Sequence, residues 1–172
     1  MALTKVRAGG YATGGIIQIQ HTQFTGTASP SITNTTDTAL TDLTVSITPT
    51  ATSSKILLQA HVFFEGSISD YQWSWMFFRD STVLKAPAGS GQTSVISSSC
   101  ISFYDDDNAS TPSTAVYQYF DTPSTTSSVT YKVGVVTTGG NATLHINKSS
   151  TDAGSSGYER GISYISATEI AG

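Results

Sequence analysis

The chain has 172 residues, a formal net charge of −4 and a pI near 5.1, and only 12% of its residues are charged. That length fits one domain with a sizeable core. Eight basic residues scattered from Lys5 to Arg160 do not form the clustered cationic surface that phosphate backbones require, which argues against nucleic acid as a partner. Ser and Thr fill roughly a third of the chain and favour turns and strands, while eight Tyr, seven Phe and two Trp supply a packed interior. The single cysteine, Cys100, cannot form an intramolecular disulfide and reads as a small buried hydrophobe. No stretch approaches the roughly 18 apolar residues of a membrane span, and no signal-peptide run follows the first basic residues. The expectation is a protein made in a cytoplasm, with no membrane partner.

In chain order, Met1–Gly15 reads as an extended arm: Gly9, Gly10, Gly14 and Gly15 interrupt regular structure, and Leu3, Val6 and Tyr11 are its apolar handles. Ile16–Phe24 is a strand with one side made unusually amide-rich by Gln18, Gln20 and Gln23. After a Ser/Thr/Pro/Asn connection, Leu40–Thr48 is a strand with Leu43, Val45 and Ile47 inward, ended by Pro49, which lacks the amide a ladder needs. Lys55–Asp80 is the most apolar and aromatic stretch and organises the rest. It reads as a ribbon of two strands joined by Glu65–Asp70. Ile56, Leu58, Ala60, Val62 and Phe64 share one side of the first strand. Tyr71, Trp73, Trp75 and Phe77 share one side of the second, which sends both tryptophans into one core.

Ser81–Lys85 continues or pairs with that ribbon, and Ser94–Phe103 is a weaker, serine-rich strand. Ala115–Asp121 and Val129–Val136 are strands around the loop Thr122–Ser128. Thr138-Gly139-Gly140-Asn141 signals a hairpin turn, with Ala142–Asn147 as its return strand. The last strand is Ile162–Ile170. No window has helical periodicity. Eight to ten short strands with turn chemistry between them predict an all-β, antiparallel two-sheet sandwich or barrel over residues 16–172, with no second domain.

Candidate chemistry is sparse, and no cofactor, metal site or active site is expected. Asp105, Asp106, Asp107 and Asn108 offer oxygen ligands, but the Gly and distal Glu of an EF-hand are missing, so a solvated loop tip is the expectation. His21, His61 and His145 each stand alone on a strand without zinc spacing. Glu65, Asp70 and Asp80 read as ordinary loop-end carboxylates. The sequons at Asn34, Asn108, Asn141 and Asn147 are what a Ser/Thr-rich chain produces by chance.

The runs SITPTATSSKILLQAHVFFEGS, FFRDSTVL, YFDTPSTTSSVTYKVGVV, TLHINKSS and SYISATEIAG, together over about residues 40–172, resemble the small jelly-roll domains of tailed-bacteriophage virion proteins. Such domains occur in tail fibres, head fibres and capsid decoration proteins. The most distinctive piece runs from Phe120 to Tyr131, and the opening MALTKV is similar to short anchoring peptides of phage fibres and spikes. The resemblance implies a jelly-roll-like sandwich in the virion, a homotrimer partnered by capsid or tail proteins. Its subunit or virion contacts would be Leu3, Val6, Tyr11, Gln18, Gln20 and Gln23. With nothing as long as a fibre shaft before the domain, a compact decoration (cement) protein or short head fibre is expected. The alternative is a receptor-binding tip that holds host surface glycans on the loops Ala86–Gln92, Tyr104–Pro112 and Lys148–Gly157. There Asp105, Asp106, Asp107, Asn108 and Tyr158 are the candidate contacts.

Overall fold

The computed structural model describes residues 14–87, 90, 96–105, 110–154 and 156–172. Leu3, Val6 and Tyr11 of the arm lie outside these residues, as do Asp106, Asp107 and Asn108 of the loop tip. Among the described residues there are eleven strands and no helix: β1 (Ile16–Phe24), β2 (Ser31–Ile32), β3 (Thr38–Ile47), β4 (Lys55–Gly66), β5 (Asp70–Arg79), β6 (Thr82–Leu84), β7 (Cys100–Tyr104), β8 (Ser113–Asp121), β9 (Val129–Val136), β10 (Ala142–Ile146) and β11 (Ser163–Ile170).

Alternation builds each strand. In β4, Ile56, Leu58, Ala60, Val62 and Phe64 are buried and the residues between them stay accessible. In β3, Leu43, Val45 and Ile47 turn inward; an irregularity between Ala39 and Thr44 lets Leu40 turn inward too, against the period of two.

All ladders are antiparallel, and they form two sheets. In the first, β8 lies along one flank of β4, while β11 and β10 lie end to end along the other. β1 pairs beyond β11, and β2 beyond β10. In the second, β5 has β9 on one flank and β7 and β6 end to end on the other, with β3 beyond β9. Successive strands β3, β4 and β5 change sheets at every step, as do β7, β8, β9 and β10. The result is a jelly-roll-like two-sheet sandwich.

The core lies between the sheets. Phe64 of the first meets Trp73 and Trp75 of the second at ring-centroid distances of 6.1 and 4.8 Å, and Phe77 meets Tyr117 at 4.7 Å. Trp75 Nε1 donates to Ser102 Oγ at 3.1 Å, but Trp73 Nε1 is buried without a partner. Burying roughly 200 Å² of indole is worth about 5 kcal/mol, whereas an unpaired buried N–H costs about 1–3 kcal/mol. Burial wins.

Three sequence expectations are corrected. Lys55–Asp80 is not a paired ribbon: β4 and β5 lie in opposite sheets and face each other across the core. Thr138–Asn141 is not a hairpin turn, because β9 belongs to the second sheet and β10 pairs with β4 and β2 in the first. Gly140 adopts φ 141°, but Gly139 does not have the positive φ that a two-residue I′ turn needs at both positions. Tyr71 does not join the tryptophans; a register shift between Asp70 and Trp73 turns it outward, 78% exposed.

Because the chain changes sheets so often, the amides of its connecting arches cannot join a ladder. Two buried carboxylates, Asp70 and Glu169, take some of them instead, and a third, Asp121, braces its arch through side chains alone. Asp70 accepts from the Thr137 hydroxyl and from the backbone N–H groups of Thr138 and Gly139 at 2.9 and 3.1 Å, which holds the arch between β9 and β10. Glu169 accepts from Thr50 N–H and Oγ1, both at 2.7 Å, and from Ser54 Oγ at 2.6 Å, which holds the arch between β3 and β4. Asp121 pairs with Arg79 at 2.9 Å and accepts from Tyr131 Oη at 2.7 Å below the arch between β8 and β9. Burial alone pushes the carboxyls of Asp70 and Glu169 up, but together these hydrogen bonds outweigh it and hold both below their ordinary range.

Two outcomes follow from this core and these clamps. Trp73→Ala is expected to cost roughly 3–5 kcal/mol in chemical denaturation; an unchanged midpoint would show that the indole contributes little to the core. Groups with depressed folded-state pKa values stabilise fully above the unfolded carboxylate range and lose that contribution as pH falls through the folded values. Thermal stability should therefore decline below about pH 4. Asp70→Asn should lower the melting temperature at neutral pH and flatten this acid limb.

Candidate interaction surfaces

The two ends of the sandwich differ. The chain enters at one end, where Gly14 N–H donates to Ala171 O and Ala171 N–H to Gly15 O, both at 2.8 Å, close to the start of β4. The opposite, distal end is organised by Glu65, fully buried at the end of β4. Glu65 Oε1 accepts from Tyr104 Oη at 3.1 Å and from Thr111 N–H at 3.3 Å, and Oε2 accepts from Ser150 N–H at 2.8 Å. Ser110 Oγ donates to Gly157 O at 2.7 Å across the same two loops.

Two of the three sequence-predicted ligand loops, Tyr104–Pro112 and Lys148–Gly157, are thus brought together. Asp105 is exposed and accepts from Ser69 Oγ at 3.1 Å; Tyr158 is half-buried. The third loop, Ala86–Gln92, departs elsewhere: Lys85 Nζ pairs with Asp37 at 2.6 Å, and Ile96 packs over the outer side of the second sheet. Also at the distal end, Tyr71 and Phe103 form an exposed aromatic pair with centroids 5.2 Å apart.

The outer faces of the two sheets are unequal. That of the second sheet carries a small core of its own, Met76, Phe78 and Val136 beneath Ala39, Val83 and Ile96. Gly134 makes room for it, since a Cβ there would stand 2.4 Å from the Phe78 ring. Among the described residues, the first sheet has no such cover below Phe63. Its outer rows are Ile19, His21 and Gln23 on β1; Tyr164, Ser166 and Thr168 on β11; Leu57, Gln59 and His61 on β4; and Val116, Gln118 and Phe120 on β8. Val116 is 63% exposed, Ile19 59% and Phe120 58%. Tyr164 lies between two imidazoles, stacked on His61 and tilted against His21, each with centroids 5.4 Å away. A recess of about 190 Å³ opens between Gln59, Val116, Gln118 and Tyr164. Among the described residues of these rows, the one charged side chain facing outward is Lys55, at the chain-entry end.

The amide-rich strand divides between two faces. Gln18 donates to Glu169 Oε2 at 2.7 Å and to Thr48 O at 2.8 Å, and Gln20 donates to Gln18 Oε1 at 3.2 Å. Gln23 lies on the open outer face beside Tyr164. Odd and even positions point to opposite sides, so these three could not share one.

Sequence reading missed the burial of Glu65, because the alternation of β4 puts this position on the outward side and the donors that bury it come from distant loops. It also missed the convergence of His21 and His61 on Tyr164, which depends on a register that sequence does not carry.

No group of three or more His, Cys, Asp or Glu able to hold a metal ion occurs among the described residues. Cys100 is half-buried, and burial pushes its thiol up. Ser29 Oγ and His145 Nδ1 stand 3.2 Å apart, but Glu65, opposite His145 in the ladder, gives its oxygens to Tyr104, Thr111 and Ser150. Burial and Lys148 lower the pKa of His145. Asn147, one of the four sequons, is buried and donates its amide to Phe24 O and Gly26 O at 2.7 and 2.8 Å. No family model matches this chain, and no curated protein does.

Proposed function

We propose that this protein is a structural component of a tailed-bacteriophage virion: a homotrimeric capsid decoration (cement) or short head-fibre protein, without enzymatic activity, anchored by its N-terminal segment. The observation that carries this reading is the inequality of the outer faces. One sheet covers its own back with a second core, while the other, among the described residues, leaves open an apolar and aromatic face whose one charge is Lys55 at its end. Faces of that composition belong to assemblies rather than to catalysis. The resemblance of residues 40–172 to phage jelly-roll domains supplies the setting. Anchoring fits the geometry, since the chain enters the sandwich at the end opposite the loops held by Glu65. Three of the basic residues, Arg79, Lys85 and Arg160, are paired with Asp121, Asp37 and Asp152, which leaves little cationic surface for nucleic acid.

A second reading, a receptor-binding tip for host surface glycans, is favoured by the Tyr71–Phe103 pair, exposed rings at the distal end of a kind on which a sugar face can stack.

Deleting residues 1–13, which leaves the Gly14 and Gly15 bonds to Ala171 in place, is expected to abolish co-purification with otherwise intact phage particles, while the domain keeps its melting temperature. Retained virion association would overturn the anchoring role. The glycan reading predicts binding of the isolated domain in a glycan screen and its loss in Tyr71→Ala; no binding by the unaltered domain ends that reading.

A further inference from the structure

We infer that copies of this chain meet one another through the open outer face of the first sheet, centred on Tyr164. The inference rests on the homo-oligomeric reading above and assigns the surface that performs it. Charge selects the occupant. A face that meets its own copy must not repel its image, and the outer rows of β1, β11, β4 and β8 present hydroxyls, amides, rings and aliphatic groups, with Lys55 confined to one end. At mid-face, Gln59 and Gln118 stand opposite each other in the ladder and are both exposed. Carboxamides both donate and accept, so they are complementary to the same groups on a second copy. A strongly acidic or basic partner would find no counter-charge here.

Size and edge point the same way. Four rows about 4.8 Å apart and about eight residues long at ~3.3 Å per residue span roughly 500 Å² in projection. The accessible area of such a rugged surface is larger, comparable with the ~800 Å² per partner of a standard interface. The face runs without a break onto β8, which pairs with β4 on one flank only and carries no charge or proline from Ser113 to Phe120. A long, uncharged, apolar edge invites aggregation unless something covers it, and a second copy that covers the face covers this edge as well. In a ring of three, each chain turns this face toward the common axis.

The test is the mass of the full chain in solution, by light scattering at micromolar concentration, for wild type and the double variant Val116→Lys/Phe120→Lys. Both positions are more than half exposed, so the fold should survive, as an unchanged melting temperature would show. Wild type is expected as a homo-oligomer and the double variant as a monomer, with association weakened at least about tenfold. Should that variant fail to fold, Gln118→Lys, which exchanges one exposed polar side chain for another, must weaken association in the same direction. Tyr71→Lys, outside this face, should leave the mass unchanged. An oligomeric wild type whose mass is untouched by the lysines of β8, or is lost in Tyr71→Lys, overturns the assigned surface and leaves the proposed function standing. A monomeric wild type overturns the oligomeric reading itself.

Discussion

The fold depends on carboxylates placed where water does not reach. This jelly-roll-like chain crosses between its sheets at six of its ten connections, and the crossings leave backbone amides that no ladder can take. Asp70, Glu169, Asp121 and Glu65 stand at these points, and each is largely or wholly buried. Glu169 and Asp70 capture the arches of residues 50–54 and 137–139, and Glu65 joins the loops at Thr111 and Ser150. Such bonds combine a formal charge with backbone donors and are individually stronger than neutral ones. The desolvation of each carboxylate is offset only because several donors converge on it. Removing one of these acceptors therefore releases a whole arch rather than a single contact.

The same economy of charge shapes the surface. With so few ionisable groups in the chain, carboxylates used as interior acceptors are unavailable outside, and several of the basic residues are tied to aspartates in ion pairs. The second sheet answers the resulting lack of surface charge by folding Ile96 and Val83 over Met76 and Phe78, with the missing side chain of Gly134 as the slot for the Phe78 ring. Among the described residues, the first sheet has no loop in that place. Its upper part is closed where Gly161 meets the Phe63 ring and where Ser150 reaches Glu65, and below these the strands stand bare.

What could be read from sequence follows from which features are local. Period-two alternation sets which side chains of β3, β4 and β9 face inward, and turn residues set where strands stop; the ranges Ile16–Phe24 and Val129–Val136 agree with the sequence expectation at both ends. Pairing is not local. Alternation looks the same whether the next strand is a hairpin partner or lies in the opposite sheet, so Lys55–Asp80 and Thr138–Asn141 both read as hairpins although each spans the sandwich. A one-residue shift hides equally well: the irregularity after Asp70 reverses the side on which Tyr71 sits without altering any residue type. Burial of a carboxylate depends on donors from distant loops, so Glu65 and Asp70 read as ordinary loop-end acids.

The bare face is a consequence of the topology as much as of composition. In the second sheet, Ile96, a few residues before β7, packs over the outer side. The strands of the first sheet are joined mainly by arches that cross to the other sheet, and among the described residues none of their connections runs back over the outer face below Phe63. Polar side chains could have compensated, and in part they do, through Gln23, Gln59 and Gln118. Yet Ile19, Val116 and Phe120 stand among them more than half exposed, each a hydrophobic cost that solvent alone does not offset. Charged residues at those positions would have made the face soluble at no cost to the core, because the side chains point away from it. Among the described residues these rows instead carry a single charge, Lys55, at the chain-entry end.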